Sequence, residues 1–442
     1  MGPGQRRRQR TESEGETGMN TIIDLLRNHP QITDWKINIH RKESYELFFV
    51  KEKLETLRRT DTCDKLVTVY VCHGEFLGDS QFYVFPSTTQ EELKTLIDDA
   101  VAKALLINNP PYTLPAEETG TFFVESNFES VPPEELAAGI SNAIFDAKTD
   151  SAGTLNSVEI FVNRHTETVL NSRGIHKTQT RYDAMVETIP TVTTDHQSVE
   201  LYHQYNFSDF KPETIAKEIS AKMEEVAARS NAITPAEPLN CPVIFNLQEL
   251  SELFNIISWD LEYSSVYSHS NQYSRGDTLQ KDIQGDPISI TMTGAVQGSV
   301  RSASFDSDGL SLTPVRLVEN GVVTGYHGTT RYGQYLGEVP TGRLRCICLD
   351  AGTADKEIFT QENSLEIVSM SGLQVELSSD YIGGEIRLAY LRKNGEKIPV
   401  TGISISGSLS QVLSNVRLSK TKGIAGGYYG PEKAITDKLK IY

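Results

Sequence analysis

Residues 230–240, SNAITPAEPLN, divide the sequence into two stretches of different texture. The segment has two prolines and little to bury, the composition of an interdomain linker. At 442 residues the chain is too long for one core, so a division near its middle is expected on size alone. The expected organisation is a polar tail over 1–19, an N-terminal domain over 20–229, the linker, and a C-terminal domain over 241–442. The tail, MGPGQRRRQRTESEGETG up to Met19, has almost nothing to bury and is expected to be disordered. No apolar run follows its arginines, so it does not read as a secretion signal.

The N-terminal stretch alternates strand and helix signals. Runs rich in Val, Ile, Tyr and Phe mark strands at about 34–40, 44–51, 65–73 and 80–85, and again at about 155–163, 165–171, 176–189 and 197–207. A short helix is expected over 20–28. Thr88 with Glu91, or Thr89 with Glu92, can form a capping box ahead of the stripe Leu93, Leu96, Ile97, Ala100, Val101, Ala104. Ser130 is a candidate N-cap for a helix carrying Leu136, Ile140, Ala143 and Ile144 on one face, and Pro212 opens another carrying Ile215, Ile219, Met223 and Val226. The reading is α+β, with antiparallel strands and helices covering one face.

Beyond the linker, one helix is expected at about 247–259. The rest is short β-like runs (287–293, 300–305, 313–318, 344–350, 365–370, 373–378, 385–391, 400–406) punctuated by Gly, Asn and Asp. Asn320-Gly321 and Asn394-Gly395 are hairpin signals, because Asn-Gly supplies the positive φ of a type I′ turn. This half reads as mainly antiparallel β, barrel-like or layered.

A net charge of −17 disfavours nucleic-acid backbones and anionic membrane surfaces as partners. No apolar stretch is long enough to span a bilayer. Five irregularly spaced cysteines imply no disulfide framework and fit a reducing cytoplasm. Phosphate-loop and dinucleotide motifs are absent, and Gly402-Ile403-Ser404-Ile405-Ser406 misses the nucleophile-elbow pattern at its last residue. His196 and His203 lie seven apart on an expected strand and face opposite sides. His165 and His176 flank a turn and could meet across a hairpin. His269 has Asp277 nearby, and Cys346 and Cys348 share a strand face as small buried hydrophobes.

Several C-terminal segments carry a family resemblance. They are Arg301-Ser302-Ala303-Ser304-Phe305-Asp306-Ser307-Asp308-Gly309, the hairpin Val318–Tyr326, Pro340-Thr341-Gly342-Arg343-Leu344-Arg345, Gly383–Arg387 and Ile403–Leu409 continuing to Asn415. Asn171-Ser172-Arg173-Gly174 adds to them from the first half. In this order and spacing they resemble the TldD/TldE (PmbA) family over roughly 20–442, specifically its TldE-like branch. The resemblance implies the following. TldD-like members are zinc peptidases with His-Glu-x-x-x-His on the first helix of the C-terminal domain and a Cys near the C-terminus. TldE-like members lack these groups, pair with TldD-like subunits and take part in cutting unfolded peptides. Here Phe254, Asn255 and Trp259 would stand at the first histidine, the glutamate and the second histidine, give or take one residue, and 421–427 holds no cysteine. Phe and Trp cannot ligate zinc, and an amide is no general base.

The expectation is therefore a chain without catalytic or metal-binding residues of its own. Zinc would be confined to a TldD-like partner subunit, and an extended peptide would be the substrate of the homo- or hetero-oligomer. Candidates for a peptide groove or partner surface are Arg301, Asp306, Asp308 and Arg345, with Tyr263 and Tyr267. The Asp306–Gly309 stretch reads first as a tight turn chosen for its backbone geometry, and the tyrosines read equally as exposed loop packing. The alternatives are a free-standing peptidase or hydrolase with a relocated site, and a regulatory protein-binding module of the gyrase-modulator type.

Overall fold

The structure is a computed structural model and describes residues 18–147, 153–195 and 197–442. The expected tail therefore lies outside the described residues up to position 17, as does His196.

The first domain is built on strands longer than the sequence suggests. β1 (Asp34–Val50) and β2 (Lys53–His73) form one antiparallel ribbon, with a bulge at Phe48/Phe49. Expected strands 34–40 and 44–51 are thus a single element. The first half of β2, Lys53–Asp61, is polar and almost wholly exposed, so no hydrophobic pattern announced it. With β3 (Phe76–Val84), β4 (Thr119–Phe123), β5 (Thr154–Asn171) and β6 (His176–Thr193) the sheet order is β3-β2-β1-β5-β6-β4. Among the described residues only β4 joins parallel. Short strands Ser198–Glu200 and His203–Phe207 pair with β6.

Among the described residues four helices cover one face of this sheet. α1 (18–28) and α2 (Gln90–Ala104) bury Leu26, Leu93, Ile97 and Val101 against Trp35, Ile37, Val67 and Val69. α3 (Pro133–Phe145) and α4 (Pro212–Ser230) bury Leu136, Ile140, Ile219 and Met223 against Leu47, Ile160 and Val186. Each such side chain contributes roughly 1.5–3 kcal/mol when fully buried. Thr89 and Glu92 form the capping box of α2, whereas Thr88 Oγ1 accepts from Phe85 N. The α3 cap is Pro132; Ser130 instead closes a preceding 3₁₀ turn. None of the helices among the described residues is long and apolar enough to cross a membrane.

The second domain has two sheets. A six-stranded sheet runs Val322–Val323, Val315–Glu319, Ile290–Thr293, Cys346–Leu349, Tyr428–Pro431, Lys422–Ala425. A nine-stranded sheet is centred on Val243–Asn246, Ser364–Met370 and Tyr381–Lys393. Most pairings are antiparallel; Cys346–Leu349 with Tyr428–Pro431, and Val243–Asn246 with Ser364–Met370, are parallel. Both expected hairpins have positive φ at each turn residue: Asn320 +48° and Gly321 +79°, Asn394 +57° and Gly395 +79°. The expected strand at 300–305 is a loop, and its purpose becomes clear at the domain junction. α5 (Leu247–Asp260) packs against strands of both sheets.

Candidate functional site

The free face of the first sheet turns toward the second domain. Alternation along a strand sends successive side chains to opposite faces. Trp35 and Ile37 go to the helices, while Lys36, Asn38 and His40 go to the other side. Glu167 on β5 and Gln179 and Arg181 on β6 share that face. Opposite stand the exposed side of α5 and the loops around 300–307 and 343–345. Together they enclose a cleft of about 730 Å³, within the range typical of ligand sites.

The loop 304–311 pins the domains beside this cleft. Lys36 Nζ donates to Asp308 Oδ1 at 2.5 Å, and Asn38 Nδ2 donates to Ser307 O at 2.8 Å. Ser304 N donates to Gln179 Oε1 at 2.8 Å. Lys177, fully buried, donates to Ser311 Oγ at 2.7 Å, lies 2.6 Å from Glu118 Oε2, and sits over the rings of Phe122 and Phe305. Gly309 has φ +80°, and a Cβ there would come within 2.5 Å of Ile175 Cγ2, so only glycine allows this approach.

Asp306 is what shapes that loop. Its carboxylate accepts from the backbone N–H groups of Asp308 (2.9 Å), Leu310 (3.1 Å) and Arg343 (3.0 Å). Burial and the charge of Asp308 push its pKa up, against those three donors. The turn-forming reading of Asp306–Gly309 is what the geometry displays, with Asp306 also at the cleft wall and Asp308 committed to Lys36.

α5 presents two unlike faces. Asn246 and Glu249 close a capping box at its start. Leu250, Leu253, Phe254 and Ile257, at the i, i+3, i+4, i+7 spacing of one face, are buried in the core. Phe254 stacks on Tyr428 with centroids 6.3 Å apart. The cleft receives Asn255, Ser258 and Trp259 instead. Asn255 Nδ2 donates to Ser251 O at 2.7 Å, and Trp259 is 57% exposed. Phe254 is therefore a core residue, and the cleft-facing triplet includes Ser258, which the sequence reading passed over.

His327 was also passed over. It is buried at the cleft wall with Nε2 3.0 Å from Ser258 O. Nε2 donates to that carbonyl, which leaves Nδ1 as a lone-pair acceptor without a hydrogen-bond partner among the described residues. Burial pulls its pKa down to about 4, so the ring is neutral at physiological pH.

A second histidine feature joins β1 to β5. His40 Nε2 lies 3.0 Å from His165 Nδ1, and His165 Nε2 lies 2.7 Å from Asp183 Oδ2. Burial, then His165, lowers the His40 pKa. Burial raises that of Asp183, but His165, Asn163 and Arg181 together outweigh it and hold the carboxyl low. His165 thus meets a neighbouring strand rather than His176, which pairs in register with Leu170. His203 contacts Glu218 at 2.9 Å.

Arg301 and Arg345 line the cleft, as does Arg343. Tyr263 and Tyr267 do not. Tyr263 is buried and donates to Val339 O at 2.8 Å, while Tyr267 joins a ring cluster with Tyr332 and Tyr335 that reaches Tyr112 of the first domain. All five cysteines are free thiols. Among the described residues no group of three or more His, Cys, Asp or Glu side chains is arranged to hold a metal ion. A catalytic zinc takes three such ligands. The donor set of this cleft, with His327 the lone imidazole beside α5, does not fit that requirement.

Residues 238–441 match the model of the PmbA/TldA metallopeptidase C-terminal domain. The whole fold is shared with solved structures. TldE from Thermococcus kodakarensis superposes with a TM-score of 0.74 at 16% identity, covering 97% of this chain and 99% of that one. A proposed modulator of DNA gyrase from Thermotoga maritima gives 0.73 at 16%, covering 97% and 100%. A similarly described protein from Bacteroides thetaiotaomicron gives 0.73 at 12%, covering 97% and 98%. No curated protein matches the sequence significantly.

Proposed function

Since residues 238–441 carry a domain of the PmbA/TldA metallopeptidase C-terminal type, we propose that the chain is a TldE-like, non-catalytic subunit that pairs with a TldD-like zinc peptidase and presents its interdomain cleft to an extended peptide. The observation that carries this reading is the cleft face of α5, where Asn255, Ser258 and Trp259 stand instead of imidazoles and carboxylates. Neither an amide, a hydroxyl nor an indole supplies the ligands and the activated water that zinc hydrolysis requires. No hydrolytic step is therefore routed through a metal on this chain.

The cleft's role would be positional. Extended peptides are held through their backbones and a few side-chain pockets, and the free face of the first sheet offers polar groups at alternate positions for that purpose. The test is co-expression with a TldD-like protein. The expected result is a mixed oligomer that cleaves an unstructured peptide, with zinc assigned to the partner by metal analysis of each separated subunit. A chain that purifies alone with stoichiometric zinc, or that never joins the partner, would overturn the proposal.

The His40–His165–Asp183 chain of contacts supports one further reading, a metal-independent hydrolase. Asp183 orients His165, His165 orients His40, and His40 lines the cleft. Peptide cleavage by the chain alone, unaffected by chelator and abolished by His40→Gln, would favour it. The expected outcome under the subunit reading is no cleavage without the partner.

A further inference from the structure

The charge of the cleft is opposite to that of the chain. The protein carries −17 overall, yet five cationic side chains and three carboxylates line the cleft. Two of those cations are already matched, Lys36 by Asp308 and Arg181 by Glu167. Arg301, Arg343 and Arg345 are not. Among the described residues their guanidinium groups make no hydrogen bond or ion pair; only their backbone N–H groups are engaged, that of Arg301 with Ser299 Oγ and that of Arg343 with Asp306. Glu262 acts on Arg343, and Glu167 on Arg345, only through longer-range attraction.

The three arginines are held together by the fold. Arg343 and Arg345 flank buried Leu344 on the extended run into Cys346–Leu349, so alternation puts both on one face. Arg301 lies along the turn at Gly426-Gly427, where a Cβ on Gly427 would come within 2.8 Å of its Cδ. The glycine pair leaves room for that stem. Burial and the charges of Arg343, Arg181 and Arg301 all disfavour the charged form of Arg345, with Glu167 opposing them. Grouping like charges in a recess costs free energy unless an anion is brought in. The guanidinium fork matches a carboxylate in two parallel hydrogen bonds. A polyanionic nucleic acid would meet the acidic remainder of the surface, whereas a peptide carboxylate enters the recess alone.

We infer that Arg301, Arg343 and Arg345 form a carboxylate-binding site that selects acidic extended peptides in the cleft. This rests on the reading of the cleft as a peptide groove and adds its substrate class. The carboxylate can come from Asp or Glu side chains or from the peptide's own C-terminus.

The experiment is isothermal titration calorimetry on the full chain without partner, using an unlabelled flexible peptide of Gly, Ser and Glu with a free C-terminus. Companion peptides are its C-terminal amide, its Glu→Gln version, and the version with both changes. The parent should bind, weaken as sodium chloride is raised, and lose about tenfold or more in affinity in each of Arg343→Gln and Arg345→Gln. Both variants should melt at or above the wild-type temperature, since neither side chain has a partner in the fold and each substitution removes a repelling charge. Loss with the amide assigns the C-terminal carboxylate; loss with the Glu→Gln peptide assigns the side chains. Equal binding of the doubly neutralised peptide, unchanged affinity in both variants, or no binding of the parent would overturn the inference. If the parent does not bind but the arginine variants lose pairing with a TldD-like partner, the arginines belong to the subunit interface. That result would discard the carboxylate site and leave the subunit proposal standing. Peptide binding by a chain that never pairs would do the reverse.

Discussion

Glu118→Ala is expected to lower the stability of the chain by about 3–5 kcal/mol, and Lys177→Met by less. The asymmetry follows from where the two charges sit. Lys177 is fully buried, whereas the side chain of Glu118 is 43% exposed. Removing the carboxylate leaves a buried ammonium with only Ser311 Oγ and the rings of Phe122 and Phe305 for company. Removing the ammonium leaves a carboxylate that water can reach, while methionine keeps most of the packing. Ser311 Oγ also donates to Glu118 Oε1 at 2.6 Å, so the deletion costs a second charge-assisted hydrogen bond. Because these groups join the first sheet to loop 304–311, the cleft should widen as stability falls.

The pH dependence of that loss has a defined sign. Burial raises the Glu118 pKa, but hydrogen bonds from Lys177 and Ser311 and the charge of Lys177 outweigh it, so the folded value lies below the unfolded one. Its contribution is complete above the unfolded carboxylate value of about 4.3 and disappears as pH falls through the folded value. In urea denaturation the gap between wild type and Glu118→Ala should be constant near neutrality and close on acidification. Equal losses in the two variants, or a gap indifferent to acid, would mean that this pair does not hold the domains.

Much of this junction could be read from the chain beforehand, and the reasons it could not be read fully are local. The alternation Trp35, Lys36, Ile37, Asn38 announces a strand with one greasy and one polar face, and it does face the helices with one and the cleft with the other. The Asn-Gly turns were equally legible, because their chemistry admits few backbones. Residues 300–305 mimic a strand in composition, yet Phe305 is spent on the contact with Phe122 and Ser304 on Gln179. Pattern alone does not distinguish an apolar residue bound for a sheet from one bound for another domain. The His40–His165 contact joins residues 125 positions apart through the register of β1 with β5, which no spacing rule supplies.

The register of α5 combines two kinds of signal. The His-Glu-x-x-x-His pattern falls on Phe254 give or take one residue, and the period of 3.6 groups Phe254 with Leu250, Leu253 and Ile257 and leaves Asn255 off that face. Helical periodicity reports what a face packs against, and here it outranks similarity between short motifs. The consequence reaches function: the residues that decide what the cleft can do are Asn255, Ser258 and Trp259 from α5, with His327 behind them.

Phe254→His should therefore unfold the C-terminal domain rather than give it a metal. Phe254 is among the largest fully buried side chains and stacks on Tyr428. Truncating such a residue costs about 3–5 kcal/mol. Histidine recovers part of the volume but places a polar ring among Leu250, Leu253 and Ile257, with a further desolvation cost of about 1–3 kcal/mol if its nitrogens stay unpaired. Asn255→His, one residue on, forfeits the bonds to Ser251 O and Oγ on a half-buried face and should fold with a loss of about 1 kcal/mol. Chemical denaturation of both variants, with zinc measured by mass spectrometry on the purified proteins, separates the two positions. A stable Phe254→His protein that holds zinc stoichiometrically would mean that α5 turns its other side to the cleft. The donor-poor surface on which the accessory-subunit reading stands would then be the one facing the core.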